Sequence, residues 1–367
     1  MEEVGGLLNS MKKRIVSIEL LRIIAMMMVV MLHYLGKGGL LQDLTGELTL
    51  NGYVAWGMEA LCIVAVNVYM LISGYVLVNS EFKLRRLIEL ICQVLFYTIL
   101  VEGTAVATGL VEPGSITLNR VLELVFPFQM KHYWFMTAYI IMYLFSPILG
   151  TAVRHMEKKQ LQNVIVTLLI FFSISKSVLP VELMVDQEGY DALWFICVYL
   201  VAAYIRLYGL PIFEKSKVRG LLCYFMGCVG ILGITFLVRA VYLRTGSLDH
   251  FIGSAFHYNH IFTLLAAVGL FYLFLNMKMP ADKKVSQIIC KIAPYSLGVY
   301  LLHEHLEIRY LWPEWLGANG DGNILAFIIR CVIAVLIVYV IGTLVDMVRK
   351  YLFTVLEKVL CKVIKKA

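Results

Sequence analysis

Three ionisable residues lie within one apolar stretch near the start of the chain. The segment RIVSIELLRIIAMMMVVMLHYLG carries Glu19, Arg22 and His33 among residues that are mostly apolar. Each ionisable group at mid-membrane costs roughly 2.5–3.5 kcal/mol on insertion scales, so three on one helix need an explanation. A carboxylate, a guanidinium and an imidazole could together hold a substrate, stabilise a developing oxyanion and move a proton.

The spacing of these residues places them on one side of a helix. Arg22 and His33 are eleven residues apart, which leaves them about 20° out of phase and about 16 Å apart along the axis. Glu19 projects into the same sector and, three residues before Arg22, can form an ion pair with it. Neutral imidazole accepts a proton near pH 7, so His33 is a natural general base in a polar cavity. A structural ion pair and an interfacial histidine are the alternative interpretation.

The helix that positions these residues belongs to a membrane protein. Of the 367 residues, 60% are hydrophobic and 16% are charged, whereas soluble globular chains have about 25% charged residues. No polar segment is long enough to fold separately. The sequence therefore predicts an all-α, polytopic helix bundle that forms one domain, residues 1–350, with a short tail, residues 351–367.

The apolar stretches predict about ten membrane spans. A span needs about 20 mostly apolar residues. Ten stretches meet this requirement, and their predicted bounds are 15–35, 54–78, 86–109, 133–152, 160–179, 191–209, 219–240, 252–275, 292–308 and 324–348.

The basic residues predict the orientation of these spans. With the N-terminus in the cytoplasm, most of the 32 lysines and arginines fall on cytoplasmic segments, as the positive-inside rule requires. An even number of spans then leaves both termini cytoplasmic. The net charge of +7 fits cytoplasmic loops against anionic lipid, so no nucleic-acid partner is expected.

The C-terminal tail, residues 351–367, has its own pattern. Apolar residues recur at helical spacing, and lysines occupy the opposite face. This predicts a basic amphipathic helix that lies on the inner leaflet of the membrane. A plain extension of the last span is the alternative.

Cysteine and histidine spacing does not predict a metal site. The eight cysteines include no CxxC pair, and most lie in apolar stretches, where a cysteine is usually a small buried side chain. His303 and His305 in HEHLEIR are two residues apart and therefore face different sides of a helix. The chain also has no GxSxG, Walker or dinucleotide fingerprint, so we expect neither a bound metal nor a resident cofactor.

Five patches in chain order resemble the membrane acyltransferase family 3, the O-acyltransferases of bacterial surface polysaccharides and related glycans. The first is IELLRIIAMMMVVMLH, an Arg-x10-His pattern preceded by Glu19, where the family more often has aspartate. The others are, in order, VNVYMLISGYVL, FKLRRLIEL, YWFMTAYIIMYLFSPIL and YSLGVYLLH. Together the patches cover nearly the whole chain, and their order makes the resemblance specific.

The resemblance implies a multi-pass enzyme of the bacterial cytoplasmic membrane that uses cytoplasmic acyl-CoA. In this family picture His33 assists acyl transfer, either as general base on a sugar hydroxyl or as a transient acyl carrier. Arg22 would contact the acyl-pantetheine arm or the developing oxyanion, and Glu19 would line the same route. Arg85 and Arg86, at the entry to the third span, would contact the CoA phosphates, although basic residues there also set topology.

Four further residues are candidates for the cavity or the acceptor site. Ser73 and Tyr75 belong to the Ser-Gly-aromatic patch, where a packing role for the serine is the alternative. Trp134 lies at a predicted outer boundary, where tryptophan is also a common anchor. His303 can reach the cavity from the predicted ninth span.

These features predict a membrane O-acyltransferase, most simply an O-acetyltransferase. Its partners would be acyl-CoA, a surface or lipid-linked glycan, and membrane lipids. A transporter or flippase for a lipid-linked sugar or a small anion is the alternative, because a buried arginine and histidine suit that function too. The sequence has no convincing inverted half-repeat of the kind many transporters show, and its outer stretches are shorter than those of a typical glycan polymerase.

Overall fold

The computed structural model describes residues 14–130, 132–180 and 185–364, and it describes side chains as far as residue 359. The end of the predicted tail lies outside the described residues. The helices are α1 (Val16–Lys37), α2 (Leu50–Cys62), α3 (Ala65–Leu77), α4 (Leu84–Ala107), α5 (Leu118–Val125), α6 (Trp134–His155), α7 (Lys158–Leu169), α8 (Ala192–Tyr208), α9 (Lys217–Thr245), α10 (Ile261–Leu275), α11 (Lys284–Ile292), α12 (Ser296–His303), α13 (Leu311–Trp315) and α14 (Ile324–Ile364). A π-helical turn at Ile170–Ile174 continues α7 to Val178.

In the described part of the chain, nine helical segments are long and apolar enough to cross a membrane. α2 and α3 together form one of them, Leu50–Leu77, and α11 and α12 form another, Lys284–His303. The sixth predicted span, 191–209, is not among these nine and corresponds to α8, which has 17 residues. At 1.5 Å per residue α8 is about 25 Å long, slightly less than the hydrocarbon thickness. The predicted all-α, polytopic bundle is confirmed.

The predicted eighth span, 252–275, begins differently from a regular helix. Its first part forms 3₁₀ turns, one of them at Ser254–Phe256, and α10 begins only at Ile261. Gly253 has φ +86°, a left-handed conformation that interrupts a right-handed helix. The side chain of His260 then accepts a hydrogen bond from the backbone N–H of Phe262 and caps α10.

The predicted ninth span, 292–308, was placed too far along the chain. The structure has α11 and α12 instead, joined by a 3₁₀ turn at Ala293–Tyr295. Pro294 explains the turn, because proline lacks the N–H that a helix interior needs. The span ends at His303, where a segment with several charged residues begins.

The last span and the predicted tail, as far as Ile364, form one continuous helix. α14 has 41 residues, which at 1.5 Å per residue is about 60 Å, longer than a bilayer is thick. Its distal part contacts α4, where the rings of Phe96 and Phe353 meet edge to face at 5.7 Å. Of the two predicted alternatives, the structure therefore shows an extension of the last span and not a separate helix that turns at residue 351.

The helix that carries the candidate catalytic residues lies at the centre of the bundle. α1 packs against α2, α3, α11, α12 and α14, and 67% of its apolar window is buried. The polar sector of α1 therefore faces other helices and not lipid, as the cost of ionisable groups in hydrocarbon requires.

A second buried helix, α8, packs against α3 and α6. Trp194 and Phe195 are among its buried side chains. The contact with α3 is close at Gly74, where an added Cβ would lie 2.9 Å from the backbone of Tyr199 and 2.8 Å from Cβ of Ala202. Small residues allow such close helix contacts in membrane proteins.

The peripheral helices expose apolar side chains over much of their surface. Only 17% of the apolar window of Lys158–Val178 is buried, and 28% of that of α9. Ile333 and Val340 of α14, for example, are about half exposed. Continuous apolar exposure of this kind fits contact with lipid.

Candidate active site

A cavity of about 250 Å³ lies beside α1, walled also by α3, α4, α6 and the segment from α11 to α12. Five residues predicted from the sequence line this cavity, namely Arg22, His33, Ser73, Arg86 and Trp134. α1 and α4 run in the same direction and α6 runs against them. Arg22 and Arg86 therefore lie toward one end of the cavity, and His33 and Trp134 lie toward the other.

His33 is held by two residues at the end of α12. Its Nδ1 lies 2.9 Å from Nε2 of His303 and 3.1 Å from Oε2 of Glu304. Both partners are buried. The Nε1–H of Trp312 donates to the carbonyl oxygen of His303 at 3.0 Å, and its ring stacks on Tyr34 of α1 with centroids 5.7 Å apart. Trp312 therefore ties this helix end to α1.

These hydrogen bonds assign the protons on both imidazoles. Nδ1 of His303 lies 2.6 Å from the carbonyl oxygen of Val299, which can only accept, so His303 carries its proton on Nδ1 and accepts at Nε2. Nδ1 of His33 therefore donates to His303 and Glu304, and the lone pair of His33 lies on Nε2. Nε2 of His33 has no hydrogen bond to the described residues, which leaves it available as a base in the cavity.

Two cations accompany the carboxylate of Glu304. Lys37, one turn beyond His33 on α1, donates to Oε2, and Nη1 of Arg309 lies 3.9 Å from Oε1. A buried carboxylate without a partner would cost several kcal/mol. The two cations therefore allow Glu304 to stay ionised while it accepts from His33.

At the other end of the cavity, Arg22 forms an ion pair with Glu19. Nη1 of Arg22 lies 3.1 Å from Oε2 of Glu19, in agreement with their spacing. The hydroxyl of Tyr69 donates to the carbonyl oxygen of Arg22 at 2.7 Å. Arg86 packs over the ring of Tyr143, with its guanidinium carbon 5.7 Å from the ring centroid. Two guanidinium groups thus face this end of the cavity, and Glu19 contacts it only through Arg22.

Aromatic rings form part of the wall near His33. Trp134 and Tyr258 both line the cavity and stack with ring centroids 5.7 Å apart. Tyr190 packs against both, at 4.6 Å from Trp134 and 4.5 Å from Tyr258. The side chain of Asn67 donates to the carbonyl oxygen of Tyr258 at 2.7 Å and accepts from Nε1 of Trp194 at 2.9 Å. The aromatic wall is therefore tied to the buried core.

Four residues predicted from the sequence do not line the cavity, namely Glu19, Tyr75, Arg85 and His303. The side chain of Arg85 is 75% exposed and forms ion pairs with Glu89 and Glu357. The hydroxyl of Tyr75 accepts a hydrogen bond from Arg206 at 2.9 Å, on the side of α3 that faces α8. His303 contacts the site only through His33.

A second histidine pair lies outside the cavity wall. The rings of His132 and His305 are 4.6 Å apart, and both side chains are buried. Burial and the nearby charge of Arg120 lower the pKa of His132 to about 3, and burial and His132 lower the pKa of His305 to about 3. Arg120 itself is bound by Glu102, at 2.5 Å, and by Glu307. Both histidines are therefore neutral near pH 7.

Sequence analysis did not identify Glu304 and Lys37 as parts of the site. In HEHLEIR, His303 was predicted to reach the cavity and a joint metal site was not expected, but Glu304 was given no role. Two signals could have identified them: an acidic residue directly after the His of the late Tyr-Leu-x-His patch, and a lysine one helical turn after His33. Among the residues that the structure describes, no three His, Cys, Asp or Glu side chains could hold a metal ion together.

Comparison with known proteins identifies the family. A family model described as an acyltransferase domain matches residues 15–343, which include the whole cavity wall. No curated protein and no solved structure matches the chain.

Proposed function

The chain belongs to the membrane acyltransferase family 3, and from this premise we propose that it is an O-acyltransferase of the bacterial cytoplasmic membrane. It transfers an acyl group, most simply acetyl, from cytoplasmic acyl-CoA to a hydroxyl group of a surface polysaccharide or lipid-linked glycan. One observation carries the proposal: the free Nε2 of His33 lies in the same cavity as Arg22 and Arg86.

The proposed reaction forms an ester and breaks a thioester. Nε2 of His33 removes the proton from the sugar hydroxyl, whose oxygen attacks the thioester carbonyl, and the proton passes to the departing CoA thiolate. Glu304 stabilises the imidazolium that forms, because its carboxylate already accepts from Nδ1. In the second route, Nε2 takes the acyl group first and then passes it to the sugar, with the same net reaction.

The charges in the cavity support entry of the donor from the arginine end. CoA carries several negative charges, and guanidinium groups bind phosphate oxygens with two hydrogen bonds at once. Arg86 lies at the start of α4 and Arg22 lies deeper, about four turns before the end of α1. The pantetheine arm would extend from Arg86 past Arg22 toward His33. Arg85, which is paired with two glutamates, would contribute only to the charge of the entry.

The aromatic wall supports a sugar acceptor at the opposite end. The faces of Trp134 and Tyr258 offer apolar surface with polar edges, a combination that suits the C–H face of a pyranose ring. These residues line the cavity together with His33. A sugar on this wall would place a hydroxyl group next to Nε2 of the histidine.

Reconstitution tests the proposal. Purified protein in liposomes receives radiolabelled acetyl-CoA and a panel of free and lipid-linked glycans, and label in the glycan is measured. We expect transfer by the wild type and a loss of at least about 10²-fold in His33→Ala, the usual contribution of a general base. His155→Ala is the matched control, because His155 is an exposed histidine at the end of α6.

Two results would contradict the proposed function. In one, label never enters any glycan with the wild type. In the other, His33→Ala transfers label as fast as the wild type and the His155→Ala control.

A further inference from the structure

The wall of the cavity between its two ends contains an amide, Gln93, whose orientation is fixed from behind. Gln93 lines the cavity from α4, and its Nε2 donates to Oδ1 of Asp346 at 3.0 Å. Both side chains are buried, Asp346 completely. Two buried polar groups of this kind are stable only when they are hydrogen bonded, so the pair holds the Gln93 side chain in place.

Asp346 determines which atom of the Gln93 amide faces the cavity. Its carboxylate also accepts from the hydroxyl of Tyr97 at 2.9 Å and from two nitrogens of Arg349 at 2.6 and 3.0 Å. An ionised carboxylate only accepts, so Gln93 must turn its NH₂ group toward it. Oε1 of Gln93 is thereby turned away from Asp346, and it accepts no hydrogen bond from the part of the chain that the structure describes.

The position of Gln93 along α4 lies between the arginine end and the histidine end. Gln93 follows Arg86 by seven residues, two turns of helix, so it lies on the same face and about 10 Å deeper. Both residues line the cavity. A ligand that extends from Arg86 toward His33 must therefore pass Oε1 of Gln93.

A free carbonyl oxygen at this position selects a hydrogen-bond donor. Phosphate and carboxylate oxygens only accept, so they would be repelled by Oε1 and attracted to the arginines. The donor of the proposed reaction carries N–H groups at this distance from its phosphates, because the pantetheine arm contains two secondary amides between the phosphates and the sulfur. We infer that Gln93 accepts a hydrogen bond from an amide N–H of the pantetheine arm, and that Asp346 is the positioning residue that keeps Oε1 toward the cavity.

This inference rests on the proposed function, and a series of donors separates the two. Acetyl-CoA, acetyl-pantetheine and S-acetyl-N-acetylcysteamine contain amides, whereas S-acetyl-2-mercaptoethanol contains none. For each donor, kcat/KM is measured in the wild type and in Gln93→Leu with the same glycan acceptor. We expect Gln93→Leu to lower kcat/KM about five- to tenfold for the amide-containing donors, because the variant loses one neutral hydrogen bond. The kcat/KM for the amide-free donor should not change.

Variants around Gln93 provide the controls. Asp346→Asn allows the Gln93 amide to rotate and should show the same donor selectivity with a smaller loss. Tyr97→Phe removes another hydrogen bond to Asp346, but Tyr97 does not line the cavity. This control should lower thermal stability without changing the ratio of kcat/KM between amide-containing and amide-free donors.

Three outcomes would overturn the inference. If Gln93→Leu lowers kcat/KM equally for all four donors, the Gln93–Asp346 pair only stabilises the helices. If its effect is confined to the KM of the glycan, Oε1 binds a sugar hydroxyl instead of the pantetheine arm. If the wild type transfers acyl groups from none of the thioesters, the proposed function fails together with this inference.

Discussion

At the scale of single residues, the site depends on one imidazole that two neighbours orient. The carbonyl oxygen of Val299 fixes the proton of His303, and His303 and Glu304 together fix the proton of His33. In serine hydrolases a carboxylate likewise binds one nitrogen of an imidazole, so that the other nitrogen can act as base. In this chain a second histidine shares the hydrogen bond with the carboxylate.

Glu304→Gln tests the role of the carboxylate. The amide keeps the shape of the side chain but removes the negative charge that stabilises the His33 imidazolium. We expect kcat to fall on the order of 10²- to 10⁴-fold. The KM of acyl-CoA should change little, because Glu304 lies at the end of the cavity opposite Arg86. Steady-state kinetics of acyl transfer in liposomes measure both quantities.

The control for this substitution is Glu47→Gln, since Glu47 is exposed in the segment between α1 and α2. It should behave like the wild type. If Glu304→Gln keeps kcat within twofold of the wild type, the carboxylate has no part in catalysis and only binds Lys37.

The relation of His33 to Arg22 could be predicted from the sequence, but the contacts of His33 with other helices could not. His33 and Arg22 belong to one helix, so helical periodicity alone relates them. His303 is 270 residues from His33 along the chain, and no local pattern predicts which two spans of a bundle will touch. The contact of Gln93 with Asp346 is equally hard to predict, because the two residues are 253 positions apart.

At the scale of helices, hydropathy predicted where spans exist better than where they begin and end. The predicted first span, 15–35, nearly coincides with α1, because basic residues precede its apolar stretch and a glycine-rich segment follows it. The predicted ninth span, 292–308, was displaced by about two turns. Hydropathy averages over a window, whereas the turn at Pro294 and the ionic contacts after His303 depend on single residues.

We expect the contact between the segment before α6 and the segment after α12 to weaken as the pH falls. Their histidines, His132 and His305, have pKa values near 3 in the folded protein, whereas an exposed histidine has a pKa of about 6.5. The unfolded state therefore binds protons more readily as the pH falls below 6.5. Stability is complete above that pH and falls between about 6.5 and 3. The slope is on the order of 1 kcal/mol per pH unit for each histidine.

His132→Phe tests this dependence, because the new ring has a similar shape and does not titrate. We expect the unfolding temperature in detergent to fall less steeply between pH 6.5 and 4.5 in this variant than in the wild type. His155→Phe is the control and should keep the wild-type slope, since His155 is exposed. An equal slope in His132→Phe and the wild type would show that the buried histidine pair does not cause the acid sensitivity.

At the scale of the whole molecule, the direction of the cavity depends on the orientation of the bundle. The geometry places Arg86 at one end and His33 at the other, whatever the membrane orientation. The distribution of basic residues predicts the orientation, because cytoplasmic segments of membrane proteins are enriched in lysine and arginine. The positions of Arg86 and His33 within their spans and the distribution of basic residues can both be obtained from the sequence. The shape of the cavity between the two ends cannot, since it depends on how α1, α4 and α6 pack.

The predicted orientation of the bundle in the membrane can be tested directly. The proposed direction of acyl transfer depends on it. Lys283 and Lys284 lie at the start of α11, and Arg349 and Lys350 lie within the distal part of α14. All four fall on the cytoplasmic side when the N-terminus is inside. A fluorescent protein fused after residue 367 should therefore fluoresce, whereas a periplasmic phosphatase fused there should be inactive.

Fusions in the segment between α4 and α5, after Gly114, should give the reverse result, because this segment is predicted to be outside. Active phosphatase at the C-terminus, together with fluorescence of the fusion after Gly114, would place the start of α4, with Arg86, on the outer face of the membrane. Acyl-CoA is cytoplasmic and too highly charged to cross a bilayer. That result would therefore leave the arginine end of the cavity without its donor, and it would contradict the direction of transfer from Arg86 to His33 even if His33→Ala abolished activity.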